Sequence, residues 1–178
     1  MNPCSDNSSN PRSLVLDFSA PEAAQGWQAI DDRVMGGVSQ SLLSYHPDGH
    51  AVFQGVVSLE NGGGFASVRH PSLCLGDANT VGYRLHVRGD GKRYKLNLRM
   101  DSDFDGVNHQ AVFHPPAGRW VDIVLPLNHF SARLRGWPAP GSPVLMPERV
   151  CQVGWMLGDA QAGPFSLDIK SLTCLAKS

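Results

Sequence analysis

Residues 81–88 read VGYRLHVR and residues 94–99 read YKLNLR, and apolar and polar side chains alternate in both stretches. A period of two places alternate side chains on opposite faces of a β-strand, so both stretches are predicted to be half-buried strands. The dipeptide Asp90-Gly91 lies between them and tolerates the positive φ of a tight turn. The two strands are therefore expected to be antiparallel neighbours.

The same alternation recurs along most of the chain. Further predicted strands are SLVLDF, VSQSLLSY, HAVFQGVVSLE, QAVFH, RWVDIVLPL, VCQVGWMLGD and PFSLDIKSL. No long segment has the 3.6-residue period of an amphipathic helix, and only SAPEAAQG at residues 19–26 is expected to form a short one. About nine or ten short strands predict an all-β sandwich or jelly roll, because one sheet of that size needs a second layer over its apolar face.

The length of 178 residues fits one domain. Residues 14–175 are predicted to form a single β-sandwich, preceded by a disordered or loosely attached tail at residues 1–13. That tail reads MNPCSDNSSNPRS and has neither an apolar signal core nor an Arg-rich transit pattern, so a cytoplasmic location is expected. The four cysteines have no CxxC spacing and are predicted to be thiols, as is usual in that compartment.

Charge and motifs argue against several functions, although an enzyme whose catalytic groups are scattered along the chain stays an open alternative. The formal net charge of −1 gives no reason to expect nucleic acid or an anionic membrane as the partner. No apolar run approaches the roughly 20 residues needed to span a bilayer, so direct membrane insertion is not expected. Neither paired zinc-ligand spacing nor a nucleophile elbow is present, and the sequence predicts no cofactor and no catalytic residue.

The stretch DDRVMGGVSQS at residues 31–41 combines two acids, an arginine and adjacent glycines. A phosphate cradle would need a following helix and a nearby lysine, and both are missing. Gly36 and Gly37 are instead expected to shape a sharp corner, because glycine enters positive φ without steric cost. The candidates for contacts with neighbouring loops or with a partner are Asp32, Arg33 and Ser39.

A second glycine corner lies in ENGGGFASVR at residues 60–69. Asn61 and Gly62 form a strong turn dipeptide, and Gly63, which extends the corner, is expected to adopt a positive φ. Asn61 and Arg69 are further binding candidates. Because each glycine corner lies beside an arginine, the two are expected to meet at one rim of the sandwich, where recognition loops usually lie.

The acidic loop DSDFDG, residues 101–106, resembles the first half of a calcium-binding loop. An EF-hand is rejected because position 12 of the loop would be Val112 in place of a bidentate glutamate, and because the flanks read as strands. An irregular cation site formed by Asp101, Asp103 and Asp105 is the weaker alternative to a solvated acidic loop.

The four tryptophans divide into two groups. Trp27, Trp120 and Trp155 fall in or beside predicted strands and are expected in the core. Trp137 falls in the proline-rich segment 134–148, which is predicted to be the longest loop. Packing against that loop is the commoner state for so large a ring, and an exposed binding anchor on the rim is the alternative.

Five motifs occur in order along the chain, namely WQAIDDRVMGGVSQS, FQGVVSLENGGGFASVR, VRGDGKRYKLNLR, GRWVDIVLPLNHF and GPFSLDIKSL. Together they resemble the complex I intermediate-associated protein 30 family over roughly residues 14–174. The resemblance implies a galactose-binding-like jelly-roll β-sandwich, which agrees with the fold class predicted from the strand pattern.

The resemblance also implies a function. Mitochondrial members of that family are assembly factors for respiratory complex I, so a non-catalytic binding or chaperone-like module is expected. Its partner would be a protein, such as a membrane-associated redox complex or its assembly intermediate. A small-ligand or carbohydrate-binding sandwich is the alternative that the fold class permits.

Overall fold

The computed structural model describes residues 13–178. The strands are β1 (Val15–Asp17), β2 (Gln28–Ala29), β3 (Gln40–His46), β4 (His50–Val57), β5 (Ala66–His70), β6 (Thr80–Arg88), β7 (Tyr94–Arg99), β8 (Asn108–Phe113), β9 (Trp120–Pro126), β10 (Ser131–Leu134), β11 (Trp137–Pro138), β12 (Gln152–Leu157) and β13 (Gly163–Ala176). Single 3-10 turns lie at Pro21–Ala24, Asp32–Met35, Glu60–Gly62, Leu127–His129 and Pro147–Arg149. The first of these turns is the short helix predicted at residues 19–26.

The strands form two antiparallel sheets that pack face to face. The six-stranded sheet has the order β3-β4-β13-β6-β9, with β1 paired to β13, and the seven-stranded sheet has the order β11-β10-β8-β7-β12-β5-β2. The all-β sandwich predicted from the alternation is confirmed. Within residues 13–178, no helix is long and apolar enough to cross a bilayer.

The core lies between the two sheets and contains the apolar residues of the alternating pattern. Tyr83, Leu85 and Val87 from β6 are fully buried, as are Tyr94, Leu96 and Leu98 from β7. The removal of these side chains from water is the main stabilising contribution to such a core. The polar residues between them point outward, as the period of two requires.

The predicted hairpin across Asp90-Gly91 is wrong. Gly91 has the expected positive φ of 88°, but β6 pairs with β13 and β9, whereas β7 pairs with β8 and β12. The turn therefore carries the chain from one sheet to the other. The Asp90 carboxylate fixes this crossing by accepting hydrogen bonds from the backbone N–H groups of Lys92 and Ser166.

Residues 1–12 of the predicted tail lie outside the described part of the chain, and Ser13 forms a bridge with Leu75. Trp120 is not in the core, because it stacks on His86 on the outer face of the six-stranded sheet. The prediction of thiols is wrong at Cys74, which is disulfide-bonded, since pairing depends on spatial proximity, which spacing along the chain does not reveal.

Candidate functional site

Asp32 is the centre of a buried hydrogen-bond network at one edge of the sandwich. Its side chain is fully buried at the start of the 3-10 turn that leads from β2 into β3. The carboxylate accepts hydrogen bonds from Ser39 N at 2.9 Å, Ser39 Oγ at 2.5 Å and Gly64 N at 2.8 Å. A longer bond from Phe65 N at 3.4 Å is the fourth that this carboxylate accepts from the described protein.

Asp31 makes a parallel set of bonds one step further along the edge. Its carboxylate accepts hydrogen bonds from Ser41 N at 3.1 Å, Ser41 Oγ at 2.6 Å and Ser67 N at 3.0 Å. Ser41 belongs to β3, the edge strand of one sheet, and Ser67 belongs to β5 in the other sheet. Asp31 thus joins the edge strand β3 to β5, and Asp32 joins the segments that precede these two strands.

Both glycine corners pack against Asp32, as the prediction of one shared rim requires. A Cβ atom on Gly63 would lie 2.5 Å from Asp32 Oδ2 and 2.6 Å from Ser58 O. Gly37 also packs directly against the Asp32 carboxylate. Gly63 has a φ of −64°, so its role is close packing and the positive φ expected there is wrong, whereas Gly36 has a φ of 87°.

Gly36→Val is expected to lower the free energy of unfolding by about 1 to 3 kcal/mol, because a β-branched residue is strained in the left-handed region. No atom lies within 4 Å of a Cβ built at this position, so the effect reports backbone strain alone. Urea unfolding of the variant and of the parent chain measures it. Equal unfolding midpoints would contradict the assignment.

Beyond the buried acids, the turn presents apolar side chains to solvent. Val34 is 64% exposed and Met35 is 67% exposed, and Arg33 is exposed beside them. A groove of about 410 Å³ runs along the turn. The corner groove, as we call it, is lined by Ile30, Arg33, Val34, Gln40, Ser41 and Phe104.

Arg69 connects this corner to the acidic loop. Its Nη1 donates a hydrogen bond to Phe104 O at 2.9 Å, and its guanidinium carbon lies 5.1 Å from the centre of the Phe104 ring. Burial lowers the pKa of Arg69, and the nearby Asp105 carboxylate opposes the shift. Arg33, Arg69 and Phe104 therefore border one surface, with Phe104 itself 56% exposed.

The acidic loop uses its carbonyl groups for contacts within the protein. Gln152 Nε2 donates to Asp101 O at 2.7 Å, and Arg99 Nη1 donates to Gly106 O. Of the three carboxylates proposed as cation ligands, that of Asp101 accepts the backbone N–H of Asp103. Among residues 13–178, no group of three His, Cys, Asp or Glu side chains is placed to hold a metal ion.

Trp137 and Asn61 are placed differently from the other candidates. Trp137 is 77% exposed on β11, at the opposite end of the seven-stranded sheet from β5 and β2. The predicted single rim with Arg33, Arg69 and the Trp137 loop is therefore wrong, because the width of the sheet separates them. Asn61 is exposed with a φ of 56° and forms the turn predicted for it.

Several residues of this corner were not identified from the sequence. Asp31 and Ser41 duplicate the roles of Asp32 and Ser39, and the signal for them is the pair of adjacent acids followed by serines at strand spacing. Phe104 could have been noticed as an aromatic residue in an otherwise polar loop. The exposure of Val34 and Met35 has no counterpart in the sequence pattern.

Comparison with known sequences identifies similar proteins along nearly all of the described chain. The family model described as Complex I intermediate-associated protein 30 matches residues 16–169. The mouse protein named Complex I intermediate-associated protein 30, mitochondrial, is 24% identical over 178 residues, which cover 88% of this chain and 54% of the mouse protein. The Drosophila melanogaster protein of that name is also 24% identical, with 88% and 60% covered. The chain thus spans little more than half the length of these two relatives.

Carbohydrate-binding modules are among the solved structures that share this fold. The family 11 module of a Clostridium thermocellum cellulosomal cellulase superposes with a TM-score of 0.65 at 16% identity, covering 96% of this chain and 99% of the module. A family 29 module gives a TM-score of 0.51 at 15% identity, with 90% and 89% covered. At such identities the likeness concerns the fold alone, and it confirms the galactose-binding-like jelly roll.

The prediction of a cytoplasmic location is wrong. The relatives from mouse, fly and Neurospora crassa are all named as mitochondrial proteins. The prediction rested on residues 1–13 alone, and the lack of a recognisable targeting pattern in that stretch does not determine the compartment.

Proposed function

Because this chain belongs to the Complex I intermediate-associated protein 30 family, we propose that it is a non-catalytic protein-binding module that takes part in the assembly of respiratory complex I. The names of its relatives link them to a complex I intermediate. The chain spans little more than half of those proteins, so the transfer of their role to this chain is part of the proposal.

The observation that carries the proposal is the exposed apolar turn at the corner. Val34 and Met35 project from a 3-10 turn whose start is fixed by the buried carboxylate of Asp32. Methionine and arginine are enriched in the buried centres of protein interfaces, and a turn that is already ordered loses little entropy on binding. Arg33, Met35 and the corner groove therefore form the proposed contact surface, with Trp137 as a separate anchor at the opposite edge.

Carbohydrate binding is supported less well than protein binding. Sugar-binding sandwiches usually present a platform of exposed aromatic rings. In the described part of the chain, the strongly exposed aromatic side chains are Phe104 and Trp137, which lie towards opposite edges of the seven-stranded sheet. Two rings so far apart do not form one platform.

Met35→Glu and Arg33→Glu are each expected to deplete co-purifying complex I subunits at least tenfold, equivalent to about 1.4 kcal/mol of binding. A negative charge introduced at an interface centre costs affinity, and Arg33→Glu also removes the positive charge there, while surface substitutions usually change stability by only about 0.5 kcal/mol. Affinity purification from the native host with quantitative mass spectrometry measures the depletion, and thermal melting verifies the fold.

The matched control is Val124→Glu. Val124 is also an exposed apolar residue, and it lies on β9 on the outer face of the six-stranded sheet. This variant should retain all complex I subunits. If the two corner variants fold and also retain them, the corner is not the contact surface. Trp137→Ala in the same assay tests the opposite edge separately.

A further inference from the structure

The outer face of the seven-stranded sheet carries a row of polar residues interrupted by a glycine. Gly154 on β12 pairs with Arg69 on β5 and with Asn97 on β7, so the three residues share one level of the sheet. Arg99 and Gln152 pair at a neighbouring level. Because Gly154 has no side chain, the space between the side chains of its two neighbours stays open.

This space is a small cavity, which we call the arginine notch. It has a volume of about 20 Å³ and is lined by Ser67, Arg69, Asn97, Arg99, Gln152 and Gly154. One water molecule needs about 10 to 15 Å³ on such a measure. The notch therefore admits a single ligand oxygen atom but not a whole phosphate group.

Both guanidinium groups beside the notch are held by neutral acceptors. Arg69 Nη1 donates to Phe104 O and Arg99 Nη1 donates to Gly106 O. Within residues 13–178, neither arginine has a carboxylate partner within 4.0 Å, whereas Arg88 pairs with Asp168 at 2.7 Å. Since a guanidinium has five N–H donors, most donors of both groups remain available to a ligand.

The electrostatic environment favours an anion. Burial and then the neighbouring charge of Arg69 lower the pKa of Arg99 to about 10, although Asp101 and Asp105 oppose the shift. Two like charges are thus held close together in a partly desolvated position. A negatively charged oxygen between them would offset their repulsion.

We infer that the arginine notch binds one carboxylate of the protein partner, supplied by an aspartate or glutamate side chain. This inference rests on the proposed function. A carboxylate matches the planar donor geometry of guanidinium groups, and one of its oxygens fits the volume of the notch. The notch adjoins the corner groove through Arg69 and Phe104, so one acidic partner segment with a neighbouring apolar residue reaches both.

A titration with succinate tests the notch directly. The intact chain is titrated at constant ionic strength, and the side-chain Nε–Hε signals of Arg69 and Arg99 are followed by NMR. Saturable shifts of both signals are expected, and Arg99→Gln should weaken succinate binding at least tenfold. Arg84→Gln is the matched control, because Arg84 is exposed on the outer face of the six-stranded sheet. This variant should bind succinate like the parent chain.

A second variant keeps the test valid if Arg99→Gln does not fold. Gly154→Ala leaves both arginines in place and puts a methyl group into the notch, where its Cβ would lie 3.1 Å from Val68 O and 3.5 Å from Asn97 Cβ. It should also abolish the saturable shifts. The carboxylate site would be contradicted if the NMR shifts of the parent chain did not saturate with succinate, or if chloride produced the same shifts.

The partner is tested with Arg99→Glu in the co-purification assay, with Arg84→Glu as control. A tenfold or greater depletion of complex I subunits by Arg99→Glu alone is expected. If succinate binds in the notch but Arg99→Glu retains every subunit, the assignment of the carboxylate to the partner is wrong. Loss of subunits with Met35→Glu would still support the corner in that case, so a failure of the notch can be distinguished from a failure of the proposed function.

Discussion

Asp32→Ala is expected to lower the free energy of unfolding by about 3 to 5 kcal/mol, the largest effect of any substitution considered for this chain. The substitution leaves Ser39 N and Gly64 N without their acceptor, and Ser39 Oγ keeps only its longer bond to Ser58 O at 3.3 Å. Each unsatisfied buried donor costs about 1 to 3 kcal/mol. The segment before β3 also loses the carboxylate that links it to Gly64, just before β5.

Urea unfolding measured by fluorescence gives the magnitude. Asp32→Asn should also destabilise the fold, because an amide has nearly the same shape but turns N–H donors towards groups that are donors themselves. The matched control is Asp103→Ala, which removes an exposed carboxylate and should change the free energy by about 0.5 kcal/mol or less. A cost for Asp32→Ala as small as that of the control would contradict the structural role.

The same network predicts a pH dependence. Burial alone would raise the pKa of Asp32, but hydrogen bonds from Ser39, Gly64 and Phe65 outweigh burial and hold the pKa below its usual value of 3.8. The unfolded chain therefore binds this proton more readily than the folded one. The stabilisation is fully present above pH 3.8 and is lost as the pH falls through the lower folded-state pKa. The parent chain should lose more stability than Asp32→Asn on acidification through this range.

Gly63→Ala is the second large effect and should cost about 2 to 3 kcal/mol. Its new methyl group would lie 2.5 Å from Asp32 Oδ2 and 2.6 Å from Ser58 O, distances at which one group must move. Any movement of the Asp32 carboxylate lengthens its hydrogen bonds to Ser39 and Gly64. The cost therefore arises from packing and from loss of the buried hydrogen bonds.

Gly62→Ala is the control that separates the steric clash at Gly63 from the effect of backbone strain. Gly62 has a φ of 75°, and no atom lies within 4 Å of a Cβ at that position, so its substitution should cost only the strain of about 1 to 2 kcal/mol. The cost of Gly63→Ala should in addition fall when Asp32 is already alanine, because neighbouring residues are not additive. If Gly63→Ala lowers the free energy of unfolding equally in the parent chain and in Asp32→Ala, the new methyl group does not clash with Asp32.

The strands and several turns were determined by local sequence. Alternation at residues 81–88 and 94–99 predicted β6 and β7, because the two faces of a strand differ in burial. Asn61-Gly62 and Asp90-Gly91 predicted turns correctly, since Gly62 and Gly91 do adopt positive φ. These properties depend on the residue itself and its immediate neighbours.

The pairing of strands and the buried network were decided by the tertiary structure. Asp90-Gly91 connects two sheets where a hairpin was expected, because a turn dipeptide sets local φ and ψ but not which strands share hydrogen bonds. Asp32 was identified as a candidate from the sequence, but its burial against Ser39 and Gly64 requires two glycine corners to meet, each of which carries the chain between the two sheets. The separation of Trp137 from Arg33 likewise follows from the order of strands in the sheet. Such contacts join residues that are distant along the chain, and only the packing of both sheets over one core brings them together or keeps them apart.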